Sequence, residues 1–234
     1  MVVLEEDPKL QSVVEKLIWQ RQPFKVLEIG CGSCSHIEIP ANSYIVGLDI
    51  SQKQLDRNEI LNEKILADVE TYDLPESEFD LIVCWWILEH LSEPQKVLAN
   101  CRKALKKDGI MIVAIPNVMS LKGLVTKFTP HAFHVWFYRY IFGEKLAGVD
   151  DRLPFKTYLR FSISPEAIRQ FAAENDLLIE RLHVYENPRQ KKLRSRHWLI
   201  DKGWKMMSPV VKALTFGKVD AELTDFIVVM QKKV

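Results

Sequence analysis

The chain has 234 residues, 47% of them apolar and 27% charged, with a net charge of +1 at pH 7. That length buries a full α/β core in one domain with appended elements, and so even a charge balance argues against a nucleic-acid partner. Cysteines at 31, 34, 84 and 101 are too few and too irregular for a disulfide scaffold, and no apolar run is long enough to span a membrane.

The first twenty residues set Glu5, Glu6 and Asp7 ahead of Val13, Val14, Leu17, Ile18 and Trp19. They lack the basic start and apolar centre of a secretory signal, which points to the cytoplasm. Residues 8 to 21 place Leu10, Val13, Val14, Leu17 and Ile18 on one face, predicting an amphipathic helix that Pro8 starts and Pro23 ends. Such a helix packs over a sheet edge or the mouth of a cofactor site.

Phe24 to Ile29 reads as a short buried parallel strand, with Glu28 the one acid in it. It opens into Gly30-Cys31-Gly32-Ser33-Cys34. Two glycines at a strand's carboxyl end let the chain turn sharply and leave bare backbone for a ligand, which is where open α/β sheets bind cofactors. Cys31 and Cys34 also have the spacing of a redox pair or half a zinc site. With His36 the only other nearby candidate and no second ligand pair, no metal is expected.

Ser33 to Ile39 leaves room for a short helix before Pro40-Ala41-Asn42, and Tyr44 to Asp49 forms a second strand ending in an acid. Asp49 follows Gly32 by seventeen residues, close to the separation at which a βαβ unit brings a carboxylate to a ribose. A carboxylate accepts from two vicinal hydroxyls at once. The competing role for Asp49 is to cap a helix beginning at Ser51. Glu63 to Val69 is a third strand, containing Asp68, and Phe79 to Trp85 a fourth. A helix over Gln95 to Leu105 turns at Asp108-Gly109 into a fifth strand, Ile110 to Ile115, closed by Pro116-Asn117. Strands that end in acids and alternate with helices describe a doubly wound sheet.

From about 118 to 163 the regularity stops, and His131 to Phe142 crowd aromatic and histidine side chains together. Insertions of this length after a strand are usually lids. A helix resumes with Ser164 as N-cap and Pro165 at its first position and runs to Asn175. Leu177 to Tyr185 and Leu223 to Met230 are the last two strands. Between them, about 187 to 219, lies a second insertion. Residues 189 to 218 hold nine basic side chains against Asp201 alone, so the rest of the chain carries −7. Ile200, Trp204, Met207, Val211 and Leu214 form an apolar stripe beside those cations, expected as two short helices broken at Ser208-Pro209. The stripe either packs on the sheet, leaving the lysines solvated, or lies on an anionic lipid surface or an acidic acceptor.

Taken together, these residues resemble the class I S-adenosylmethionine-dependent methyltransferases. Glu28-Ile29-Gly30-Cys31-Gly32-Ser33-Cys34 is similar to that family's acidic glycine turn, although Cys34 stands where the family has a third glycine. Asp49 falls at its ribose acid, and Asp68-Val69 where an acid meets the adenine amino group. Phe79 to Asn117, with Ile87-Leu88-Glu89-His90-Leu91, resembles the small-molecule branch that includes the ubiquinone-biosynthesis type enzymes. Cys84-Trp85-Trp86 lacks the Asn/Asp-Pro-Pro-aromatic motif of base- and amide-methylating relatives.

The resemblance implies a mostly parallel seven-stranded, Rossmann-like sheet in one domain, 1 to 234, with its last strand antiparallel and the two insertions as caps. S-adenosylmethionine is the implied cofactor, held by Glu28, Gly30, Cys31, Gly32, Asp49, Ile50, Asp68, Val69, Cys84 and Trp85. Trp85 or Trp86 either faces the sulfonium or fills core and rim. The expected activity is methyl transfer to a small-molecule acceptor, an apolar, aromatic or lipid-linked hydroxyl, with His90, His131 or His134 as the base. Two other readings stand beside it. One is a cofactor-binding protein of the same fold without catalysis. The other is a nicotinamide oxidoreductase, which would want glycine where Ser35 stands.

Overall fold

The structure, a computed structural model, describes residues 8–18, 24–39, 42–149, 153–196 and 198–233. Glu5, Glu6, Asp7, Trp19, Pro23, Pro40 and Ala41, which entered the sequence reading, lie outside the described residues, as do the side chains of Pro8, Ile18 and Ile200.

Seven strands make one sheet. They are β1 (Phe24–Ile29), β2 (Ser43–Asp49), β3 (Glu63–Leu66), β4 (Phe79–Trp85), β5 (Leu105–Pro116), β6 (Leu177–Tyr185) and β7 (Asp225–Lys232), in the spatial order β3-β2-β1-β4-β5-β7-β6. β3, β2, β1, β4 and β5 pair in parallel, and β7 runs antiparallel to both β5 and β6. This is the expected doubly wound arrangement with its last strand reversed. The strand order turns back between β1 and β4, so the crevice at their carboxyl ends is the place for a ligand.

Adjacent residues of a strand face opposite ways, and the apolar runs therefore feed two cores. Leu27, Val46, Ile82, Met111, Val113 and Val228 pack with Val97, Leu98 and Cys101 of α3 (Pro94–Ala104) and with Ile168 and Phe171 of α6 (Pro165–Glu174). On the other face Val26, Leu81, Val83, Ile112 and Val229 meet Leu10 and Val14 of α1 (Pro8–Ile18), which lies against the edge strand β6. Ser164 caps α6 as expected, its hydroxyl accepting from the Ala167 N–H.

Several boundaries differ from the sequence reading. Ser33 to Ile39 is irregular and contains no helix. β3 stops at Leu66, because Ala67 and Asp68 turn away to begin a tight turn in which the Asp68 carbonyl accepts from the Thr71 and Tyr72 N–H groups. β5 begins at Leu105, not after Asp108-Gly109. Leu105 pairs with Phe79, the register then shifts, and Asp108 takes a left-handed conformation (φ 57°) inside the strand. Leu223 and Thr224 precede β7, with Thr224 held by a bond from its N–H to the Tyr185 carbonyl.

Both insertions are helical. The first contains α4 (Leu121–Phe128) and α5 (His131–Tyr140), and the second α7 (Pro188–Ser195) and α8 (Trp198–Leu214). The expected break at Ser208-Pro209 does not occur. Pro209 and Lys205, whose carbonyl it leaves without a donor, are both exposed, so the loss falls on the watery side of the helix. The remaining short helix is α2 (Gln52–Arg57). No helix among the described residues is long and apolar enough to cross a membrane.

Candidate active site

The glycine turn is held from below by its neighbours. Gly30 (φ 62°) and Gly32 (φ 55°) both lie in the left-handed region that glycine adopts freely. The Gly30 N–H donates to the Leu48 carbonyl at 2.8 Å, carrying the chain over the end of β2. A Cβ on Gly30 would meet the Ile87 side chain at 2.8 Å, whereas one on Gly32 would meet nothing within 4 Å. The backbone of Gly32 thus borders open space at the strand ends.

Asp49 makes the Ser51 contact that the sequence offered and a second one to the glycine turn. Its Oδ2 accepts from the Gly32 N–H at 2.9 Å and its Oδ1 from the Ser51 N–H at 2.8 Å, so one carboxylate pins the turn and the entry to α2. Each oxygen keeps a second lone pair. Asn58, buried at the end of α2, donates from Nδ2 to the Gly32 carbonyl at 3.2 Å. The sequence reading passed over Asn58, because its grip on the turn leaves no signal in the spacing of residues. Glu28 Oε1 accepts from the Ser35 hydroxyl, tying the two ends of the turn together. Burial raises the Glu28 carboxyl to about 6, the Ser35 bond opposing the shift.

The other expected cofactor residues divide by what they expose. Ile50 is 73% exposed beside Asp49, and Asp68 is exposed just beyond β3, its Oδ1 accepting from the Glu70 N–H at 2.9 Å. Val69 and Cys84 are core residues whose side chains point away from solvent, so only their backbones are available; Cys84 shares a hydrogen bond with the Cys101 thiol. Cys31 is buried, its thiol pushed up to about 12 mainly by desolvation, while Cys34 is exposed. The Trp85 ring is buried in the second core and stacks on His36 at 5.8 Å, with Trp86 at its rim. His36 is lowered to about 4 by burial and stays neutral. Glu28 Oε2 and the indole Nε1 atoms of Trp85 and Trp86 are buried without a protein partner. With the open face of Gly32, these orphaned polar atoms fit a polar cofactor lying across β1 and β4.

Across the crevice, β4 is followed by a single 3-10 turn, Leu88–His90. The loop returning from the first insertion straps it down. Glu89's carbonyl accepts from the Tyr158 and Leu159 N–H groups, and His90 Nδ1 lies 2.7 Å from the Lys156 carbonyl. Burial lowers the His90 pKa, with the proximity of His131 adding to the effect; burial and His131 do the same to His134. His131 is thus near enough for its charge to act on both His90 and His134. The rings of His131 and His134 are 6.3 Å apart on α5, and His134 Nε2 meets the Thr129 hydroxyl at 2.8 Å.

Sequence reasoning passed over a buried acid pair beside them. Glu89 is 4% exposed and its carboxyl rises to about 8, chiefly through burial, with Asp225 adding to the rise and Lys122 opposing it. Asp225, also buried, accepts from Lys122 Nζ at 3.1 Å and from the Thr224 hydroxyl at 2.7 Å. The hint in sequence was an acid at the mouth of an otherwise apolar strand. Gly123 lets α4 approach so closely, since a Cβ there would stand 2.1 Å from the Asn117 carbonyl oxygen.

The two insertions are joined. The Asp220 N–H donates to the Met119 carbonyl and the Leu121 N–H to the Asp220 carbonyl. Arg189 on α7 pairs with Glu144 at 3.6 Å and covers the Tyr138 ring. Arg194, counted among the surface cations in sequence, is instead structural, bridging Glu186, Asp201 and Glu222.

Residues 27–113 match the family model described as a methyltransferase domain. An uncharacterized protein of Methanocaldococcus jannaschii is 32% identical over 110 residues, 47% of this chain and 48% of that one. A ubiquinone biosynthesis O-methyltransferase of Glaesserella parasuis is 26% identical over 114 residues, 40% of this chain and 45% of its own length. The chain spans about half the length of these curated relatives. Among solved structures, a putative S-adenosylmethionine dependent methyltransferase from Listeria monocytogenes superposes with a TM-score of 0.60 at 13% identity, covering 99% of this chain and 98% of that one. Residues 27–113 thus match a methyltransferase domain, the chain as a whole has the fold of S-adenosylmethionine-dependent methyltransferases, and S-adenosylmethionine is the cofactor that this domain and fold imply.

Proposed function

We propose that the protein methylates a hydroxyl of a small apolar, aromatic or lipid-linked acceptor, with His90 taking the proton. The observation that carries this reading is the convergence of His90, His131 and His134 beside the crevice whose other side is the Gly30 to Asp49 turn. When bound, S-adenosylmethionine supplies a methyl group already activated by a positive sulfur. The protein's own work is then to align the acceptor and to accept its proton.

His90 suits that task best. A neutral imidazole that donates Nδ1–H to the Lys156 carbonyl presents Nε2 as acceptor, and burial keeps the ring neutral near pH 7. Gly30, Gly32, Cys31 and Asp49 hold the ribose and amino-acid parts of the cofactor, and Ile50, Asp68 and Val69 its adenine. The exposed aromatic side chains of α5 favour an acceptor with apolar surface.

A screen with methyl-labelled cofactor against metabolite and lipid extracts tests the reading. His90→Gln is expected to lower turnover by about 10²–10⁴-fold, with calorimetric affinity for the cofactor unchanged. Full rate in His90→Gln, His131→Gln and His134→Gln alike would mean that alignment alone suffices. Tight cofactor binding with no labelled product from any extract would favour the non-catalytic reading.

A further inference from the structure

α8 has two apolar faces. Trp204, Met207 and Val211 form a half-buried one, and α7 is the element the helix packs against. Leu199, Met206 and Val210 fall together on another side of the helical wheel, with Trp198 at the helix start and Leu214 at its end bordering them, and all five are more than half exposed, from 54% at Val210 to 75% at Leu214. Phe216, just past the helix end, is 92% exposed. An apolar strip four turns long is more than a soluble face ordinarily shows to water.

The charges beside it share one sign. Lys205 and Lys212 are neutralised by Asp201 and Asp220. Lys191, Lys192, Arg196, Lys202 and Lys218 have no ion-pair partner among the described residues, and Lys202 lies on the same side of the wheel as Trp198. Lys192 and Arg196 line a cleft with Arg189, Leu193, Phe142 and Glu144, where α7 meets the end of α5. α5 adds exposed rings of its own in Phe133, Trp136 and Tyr140.

We propose that the outer face of α8, with these unpaired cations, is a docking face for an anionic lipid bilayer. An apolar strip rich in Trp, Met and Leu and flanked by lysines matches the requirements of a helix lying in a membrane interface. Self-association through the same strip would set the cations of two copies against each other. The proposal stands whether or not the acceptor is itself a lipid, since it concerns where the enzyme sits.

Co-sedimentation of the full chain with phosphatidylglycerol vesicles, and with phosphatidylcholine vesicles for comparison, tests it. Binding is expected to the anionic vesicles, weakening about tenfold or more as salt rises past the point where surface charges are screened. Trp198→Ser with Leu199→Ser, and separately Lys191→Glu with Lys202→Glu, should each lower the partition coefficient about tenfold, with melting temperature and cofactor affinity unchanged. Equal binding to both vesicle types, no binding at low salt, or indifference to both variants would overturn the proposal. So would a solution dimer that Trp198→Ser with Leu199→Ser abolishes, which would assign the strip to self-association.

Discussion

The half of the molecule around β1 and β2 and the half above β5 and β6 are built on different terms. In the first, the functional positions are set by backbone: Gly32 is gripped by Asp49 and Asn58, Gly30 hangs on Leu48, and the strands beneath are almost wholly buried. In the second, the helices of the two insertions rest lightly on the fold. α5 and α7 have no buried residue, and much of α8 stands in water. Under the proposed function the rigid half would hold the cofactor, and the lighter half, whose helices α5 and α7 have no buried residue, would face the acceptor.

The largest expected effect tests that contrast directly. Leu27, fully buried under the turn, should cost about 2–5 kcal/mol of stability as Leu27→Ala. Met206→Ser on α8 should stay within about 0.5 kcal/mol, as exposed substitutions do. Denaturant midpoints of the two variants check this. A destabilisation by Met206→Ser as large as that of Leu27→Ala would make α8 part of the core and erase the distinction.

Next in size is Asp49→Ala. Hydrogen bonds to a charged group are worth about 1.5–3 kcal/mol, so cofactor affinity measured by calorimetry should fall by about 10- to 100-fold. Loss of the Gly32 contact contributes as well as loss of the ribose contact. Asp49→Asn, which keeps an oxygen for one N–H, should fall less. Unchanged affinity in both variants would remove Asp49 from the cofactor site.

The same contrast explains what could be read in advance. β1, β4 and β6 were legible to the residue because uninterrupted apolar or alternating runs end at glycine, tryptophan or proline punctuation. The start of β5 was not, because Lys106-Lys107-Asp108-Gly109 has the composition of a turn, and only pairing with Phe79 makes it strand. α5 reads as irregular since aromatic residues round most of a helix leave little polar face to give it a period, and α4 because it is two turns long with a glycine inside. The apolar stripe of Ile200, Trp204, Met207, Val211 and Leu214 was visible, although Leu214 at its end is exposed. The exposed side chains of Trp198, Leu199, Met206 and Val210 were hidden beside it, because a sequence does not say which of two apolar faces will be covered. That Gly30, Gly32 and Asp49 lie together at the strand ends was legible from their spacing. Asn58, Glu89 and Asp225 were missed, since their roles come from burial and from partners distant in sequence.

The smallest expected effect concerns protons in the rigid half. Glu28 binds its proton up to about pH 6 in the folded chain, against 4.5 for an ordinary glutamate, because burial penalises the charge. The folded state therefore holds more protons than the unfolded one between these values, and its contribution to stability, complete below pH 4.5, is lost as pH rises through 6. A shift of this size is worth about 2 kcal/mol. His36 acts in the opposite sense. Its folded pKa of about 4 lies below the ordinary 6.5, so the unfolded state holds more protons between the two, and stability is lost as pH falls through that window. The two slopes oppose each other between pH 4.5 and 6. Glu28→Gln removes the first of them, so chemical denaturation should show the variant's stability gaining on the wild type's as pH rises through this range. A Glu28→Gln profile parallel to the wild type would mean that Glu28 is already ionised in the fold, with its unpartnered oxygen hydrated.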